Sequence, residues 1–196
     1  LFNGGTEENL EEFNKFIPNL EYKLRDKKRL IGGIYTFRKK NNAIYFDVGE
    51  PPKKSFSKSY QSGPLSFEYY LDGNKIITNC GFGSNISSKA KLLSRLTSAQ
   101  STLTLNDTSV TKFERNKIVN KIFGNSIKNS FKISDVDFIE ESDHIKLIAS
   151  HNGYEKDFKC VHKRELSIDK DTSNLTGCDY LFKKKDMVDI GFFDEN

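Results

Sequence analysis

The spacing of apolar residues changes near residue 30, and that change restricts the fold more than any other feature of the chain. Residues 6–17 carry Leu10, Phe13, Phe16 and Ile17 at helical intervals, with Thr6 placed to cap and Glu7 and Glu8 in the first turn; Pro18 ends the run. Beyond residue 30 the period shortens to two. Leu30–Phe37 and Ala43–Val48 are β-branched and aromatic, and Lys39-Lys40-Asn41-Asn42 lies between them as a polar turn. Leu65, Phe67, Tyr69 and Leu71 alternate with polar positions, and Asp72-Gly73-Asn74 turns the chain into Lys75–Cys80. Further strands are predicted at 101–105, 131–139, 144–149, 157–168 and 176–182, with short helices at 87–96 and 112–123. Gly49-Glu50-Pro51-Pro52 and the residues up to Ser62 read as a long surface loop. Many short strands after one helix predict an all-β antiparallel sandwich and exclude a βαβ protein.

The same residues exclude several functions. Lys and Arg number 31 against 27 Asp and Glu, a balance of +4 spread along the chain, so no concentrated basic face for nucleic acid is visible. No apolar run approaches the roughly 20 residues of a membrane span. Gly81-Phe82-Gly83 lacks a third glycine, and there is no GxxxxGK[ST] or HExxH. Cys80, Cys160 and Cys178 have no CxxC spacing and read as free, mostly buried thiols. His162 shares a predicted strand face with Phe158, Cys160, Leu166 and Ile168 and reads as a hydrogen-bonded core residue. His151-Asn152-Gly153-Tyr154 is a turn signal.

Several stretches, in order, resemble the C-terminal domain of the heparinase II/III-like family. Phe46-Asp47-Val48-Gly49-Glu50-Pro51-Pro52 looks like its DxGxPP strand and loop, Leu65-Ser66-Phe67-Glu68 like its LSFE strand, and Asn79-Cys80-Gly81 like an NCG ending. Arg95, Thr97 and Ala99-Gln100-Ser101-Thr102-Leu103 look like RxTxAHSTL. Ser150-His151-Asn152-Gly153-Tyr154 with His162 and Arg164 is similar to SHDGY…HxR, and Gly177, Asp179 and Leu181 to GxDxL. The resemblance implies a supersandwich-like β domain at 26–196, truncated at its C-terminus. It also implies that 1–25 is the end of a missing (α/α) toroid domain of the same parent, a helical remnant, or a linker. The family's known members are polysaccharide lyases that cleave uronic-acid-containing acidic glycans by β-elimination, with a Tyr and a His moving protons and a zinc held by His and Asp. A bacterial parent in the periplasm or envelope is the implied setting.

Against that pattern the chain departs at each chemical position. The family motif HxHxDxLSFE puts two histidines and an aspartate at positions 59, 61 and 63, where this chain has Ser59, Gln61 and Gly63; the remaining ligand positions are Asn79 and Gln100. Amides bind zinc poorly and serine does not titrate near neutrality, so no zinc and no catalytic residue are expected, with Ser59 at the family's His position. Gln61, Asn79, Arg95, Gln100, His151 and Tyr154 remain as expected substrate-binding residues, the first four in a groove gripping an acidic polysaccharide weakly. The alternative reading is a non-catalytic glycan-binding or structural sandwich. No nucleic-acid or membrane partner is expected.

Overall fold

The computed structural model describes residues 29–183 together with Lys15. The helix expected at 6–17 therefore lies, Lys15 apart, outside the described residues. Strands β1 (Leu30–Ile31), β2 (Ile34–Lys39), β3 (Asn42–Asp47), β4 (Phe67–Leu71) and β5 (Asn74–Ile77) form one antiparallel sheet in chain order. Strands β6 (Ile133–Glu140), β7 (His144–His151), β8 (Cys160–Asp169) and β9 (Leu175–Lys183) form a second, also in chain order. The β4–β5 turn rests on Asp72 and Gly73, both at positive φ, the geometry a two-residue hairpin requires.

Alternation decides which face of each sheet is buried. Tyr35, Phe37, Ile44, Phe46 and Tyr69 of the first sheet meet Ile145, Leu147, Ala149, Leu166 and Ile168 of the second, with Leu65 between them. Each large side chain removed from water here contributes about 1.5–3 kcal/mol before entropy is counted. At one sheet end Gly33 crosses Gly49 so closely that a Cβ on Gly33 would stand 2.6 Å from the Gly49 Cα.

Two long connections, residues 48–66 and 78–132, build a second core from Tyr60, Val110, Phe113, Ile127 and Phe131, packed with Tyr154 and Cys160 of the second sheet's β7–β8 region. They include helices α1 (Ser88–Leu93) and α2 (Lys117–Phe123), and α3 (Glu155–Phe158) follows β7. Ser87 caps α1 by accepting the Ala90 N–H at 3.0 Å, and Asn116 caps α2. Among the described residues no helix is long and apolar enough to cross a membrane.

Several local expectations are corrected. Residues 101–105 form no strand beyond a bridge between Leu105 and Thr108. Helix α2 begins only at Lys117, because Phe113 pairs with Ile127. Lys159, at φ 57, breaks the strand expected from 157, and β8 starts at Cys160. The loop from 49 turns inward, burying Ser57 and Tyr60–Ser62. Of the thiols only Cys160 is buried; Cys80 and Cys178 are exposed.

Candidate functional site

Three amides converge where the two connections meet the end of β5. The Gln61 side-chain N–H donates to the Gly81 carbonyl at 2.7 Å and the Ser94 carbonyl at 3.0 Å, and Gln100 donates to the same Ser94 carbonyl at 2.8 Å. Asn79, just past β5, accepts from the Ser101 N–H at 2.8 Å and the Ser101 hydroxyl at 3.1 Å. Its buried Nδ2 has no hydrogen-bond partner among the described residues. Gly63 sits against this group: a Cβ there would lie 2.9 Å from Ser66 Oγ and 3.0 Å from Gln100 Cγ, so the site as built leaves no room for an aspartate.

Arg95 lies beside the cluster but is turned inward. It is 1% exposed; its Nε donates to the Tyr60 carbonyl and one terminal nitrogen to the Ser57 carbonyl, each at 2.8 Å, and its guanidinium lies 4.1 Å from the Phe113 ring centre. Burial lowers its pKa to about 10, which leaves it charged at neutrality. The cation thereby fixes the inward path of residues 57–61. Ser59, half-buried, sits in the turn between its two acceptors.

His151 and Tyr154 belong to the second core. The Tyr154 hydroxyl donates to the Leu103 carbonyl at 2.8 Å, and burial raises its pKa to about 12. His151 heads a buried relay. The Gly153 N–H donates to His151 Nδ1 at 3.0 Å, His151 Nε2 meets His162 Nδ1 at 3.0 Å, and His162 Nε2 meets Asp179 Oδ1 at 2.7 Å. Only one assignment of protons satisfies all three contacts with neutral rings: both histidines carry their proton on Nε2. Burial, followed by the nearby His162 and Arg164, pushes His151 down to about 3, which keeps it neutral. Arg164 grips Asp179 through two nitrogens at 2.7 and 2.8 Å and donates to the Leu65 and Ser101 carbonyls at 2.8 and 2.7 Å. Partial burial raises the Asp179 pKa, but the bonds from His162 and Arg164 outweigh it and hold the carboxyl well below the usual range. The relay therefore ends on Ser101, the residue that orients Asn79.

Sequence reasoning treated Arg164 and Asp179 only as landmarks. Alternation along β8 and the Arg164–Asp179 register pair are the signals that could have joined them. Asp47 was also missed as a titrating group. It is 5% exposed, accepts the Gly49 N–H at 2.9 Å, and is pushed up to about 7 by burial.

The donor set at the amide cluster does not suit the family's zinc. Both glutamine nitrogens point at a carbonyl, the Asn79 oxygen is taken by Ser101, and the carboxylate that touches the cluster, Glu68, already accepts from the Asn79 N–H and the Thr78 and Tyr70 hydroxyls. The neighbouring Cys80 thiol lies 3.2 Å from the Gly81 carbonyl, and burial raises its pKa, so it is a neutral S–H. Among the described residues, the group of three metal-type ligands is Glu141, Asp143 and His144, on the distant β6–β7 hairpin. A groove of about 660 Å³ runs past Leu92, Leu93, Leu96 and Phe113, with Glu114 and Lys128 on its rim, but Gln61, Asn79 and Gln100 do not line it. What the cluster offers chemically is neutral hydrogen bonding without a group that moves protons near neutrality.

The model of the heparinase II/III-like, C-terminal family matches residues 25–192. No curated protein matches the chain. Among solved structures, the chain is similar to a mutant of the heparan sulfate lyase HepC from Pedobacter heparinus, with a TM-score of 0.53 and 17% identity over 80% of this chain and 22% of that one. It is also similar to a heparinase III gene product with methylated lysines, with a TM-score of 0.56 and 16% identity over 87% of this chain and 26% of that one. At these identities the likeness is one of fold, and the chain spans about a quarter of the length of either.

Proposed function

Because the chain belongs to the heparinase II/III-like C-terminal family, we propose that it is the sandwich part of a protein that handles acidic polysaccharide, and that this part holds glycan without performing the elimination. The observation that carries the reading is the shared use of the Ser94 carbonyl by Gln61 and Gln100. Two positions that would hold metal in the family's lyases are here tied to backbone, and Asn79 is tied to Ser101. β-Elimination needs the uronate charge neutralised, a base for the C5 proton and an acid for the leaving oxygen. The cluster supplies none of the three: its amides are neutral, Ser59 is hydrogen-bonded to no base among the described residues, and Arg95 is taken up by carbonyls. Gln61 and Asn79 are 3% and 5% exposed and not in an open groove, so we assign the binding role toward sugar hydroxyls to the half-buried Gln100, which they hold in place, with no zinc, and His151 and Tyr154 a structural role. The proton-transferring groups belong in this reading to a helical domain of the same parent. Mixing the chain with heparin, heparan sulfate or alginate and following the ultraviolet absorbance of unsaturated uronate tests it. No product is expected; sustained product from clean protein, or about one zinc per chain by elemental analysis of protein purified without chelator or added metal, overturns it.

A further inference from the structure

The outer face of the first sheet, turned away from the second, carries a second arrangement with ligand-binding chemistry. Strand register lines up Arg38, Ala43, Tyr70 and Lys75 as one row across β2, β3, β4 and β5. The adjacent row holds Thr36, Tyr45 and Glu68. Ala43 is the low point of this surface, because its neighbours in the row and Tyr45 two residues along β3 are all large. Tyr45 and Tyr70 stand edge to face beside it, ring centres 5.8 Å apart. Arg38 lies 5.4 Å from the centre of the Tyr45 ring and bonds its hydroxyl, and Lys75 lies 5.8 Å from the centre of the Tyr70 ring. Both cations are exposed, and among the described residues neither is in an ion pair. Glu68, the acid of the adjacent row, is buried and occupied: it accepts from the Thr78 hydroxyl, the Asn79 N–H and the Tyr70 hydroxyl, which fixes the Tyr70 ring.

We propose that this row is a binding platform for a linear anionic glycan, in which Arg38 and Lys75 take sulfate or carboxylate groups and the Tyr45 and Tyr70 rings border a sugar seated over Ala43. The charge is complementary, since two uncompensated cations flank a neutral aromatic floor. Three strand spacings separate Arg38 from Lys75, roughly 14 Å, which suits a short oligosaccharide and not a single small anion. A guanidinium pairs with planar oxyanions through two parallel bonds, and tyrosine gives an apolar face with little side-chain entropy to lose. The platform takes the same ligand class as the amide cluster but uses none of its residues, so either can fail without the other. Through the Glu68–Asn79 bond the two surfaces adjoin, and a bound chain can run from one toward the other.

The test is titration of the whole chain with heparan sulfate and alginate oligosaccharides, followed by amide chemical shifts and calorimetry. The expected result is shifts on β2–β5 around Ala43, and at least a tenfold loss of affinity in the double variant Arg38→Gln, Lys75→Gln, with an unchanged urea midpoint showing that the fold is intact. A charge-matched control, Lys53→Gln with Lys89→Gln, is expected to bind within twofold of the parent. Tyr70→Leu, which keeps an apolar side chain, is expected to weaken binding while leaving its salt dependence in place. Equal loss in the control, equal affinity for a neutral cello-oligosaccharide, or full affinity in the Arg38/Lys75 variant overturns the platform. Shifts confined to Gln61, Asn79 and Gln100 overturn it too and leave the cluster reading standing; shifts confined to β2–β5 do the reverse.

Discussion

Asp47 and His151 are buried groups displaced in opposite senses, and together they fix an unusual pH profile of stability. The Asp47 carboxyl rises from 3.8 to about 7 on folding, chiefly through burial. The folded state therefore binds that proton first. The stability it contributes is complete below about pH 4 and is lost as pH rises through 7. His151 moves from 6.5 down to about 3, again chiefly through burial. Here the unfolded state binds the proton first, so stability is complete above pH 6.5 and is lost as pH falls toward 3. Each displaced group changes stability by about 1.4 kcal/mol per pH unit inside its window. Between pH 6.5 and 4.5, Asp47 adds about 2 kcal/mol and His151 removes about 2 kcal/mol, so their joint contribution is nearly level. Substitution separates the two. Asp47→Asn keeps an acceptor for the Gly49 N–H and removes the titration; relative to the parent it should lose an additional 2 kcal/mol or so between pH 6.5 and 4.5. His151→Gln keeps one acceptor and one donor in the relay and should gain about as much over the same interval. Other carboxylates titrate alike in all three proteins and cancel in the differences. Urea unfolding at the two pH values, with fitted slopes checked for constancy, is the measurement. If the Asp47→Asn difference is the same at both pH values, the carboxyl is ionised throughout and the burial argument is wrong.

Arg95→Ala should destabilise by about 3 kcal/mol or more, since it strips two buried carbonyls of their donor and removes the cation from Phe113, and thermal unfolding measures the loss. Asp179→Ala leaves buried Arg164 without its carboxylate and His162 Nε2 without its acceptor; with Asp179 itself partly exposed and screened, a loss of about 2 kcal/mol is expected, accompanied by faster amide exchange at Ser101. Gly33→Ala should cost about 2 kcal/mol or more, because φ is +82 and the new methyl would strike the Gly49 backbone, whereas Gly32→Ala, with open space around it, should cost less; parallel urea midpoints compare them.

The sandwich was legible because its strands obey a period of two: Tyr35 and Phe37, Ile44 and Phe46, Ile145 and Leu147 each mark an inner face. Residues 101–105 alternate equally well and are not a strand. Ser101 Oγ bonds the Phe67 N–H and carbonyl, and Thr102 Oγ1 bonds the Pro64 carbonyl, so hydroxyls stand in for a backbone ladder, which no periodicity distinguishes. The inward turn at 57–62 was hidden for a related reason. Its cause is a guanidinium 35 or more residues away bonding bare carbonyls, and a carbonyl has no sequence signature. Arg95 read as a ligand-gripping side chain by residue type alone, while the structure directs it into the protein. The relay was half legible. His162 could be placed on a strand face, whereas His151 read as part of a turn although β7 runs through it, and linking the two to Asp179 requires the register of β8 against β9.

Both sheets are meanders, and this bears on how the chain folds. Every strand pairs with its neighbour in sequence, the first sheet within residues 30–77 and the second within 133–183. Loop closure is therefore short for each hairpin, and each half can begin to form locally on the microsecond scale of hairpin formation. What is distant in sequence is their union, recorded in Arg164 reaching Leu65 across 99 positions and Ser101 across 63. The entropic barrier then falls on one late event, the closing of the two halves around residues 78–132. Substitutions at Arg164 should slow that event and leave hairpin formation untouched, while substitutions in the turns should act earlier.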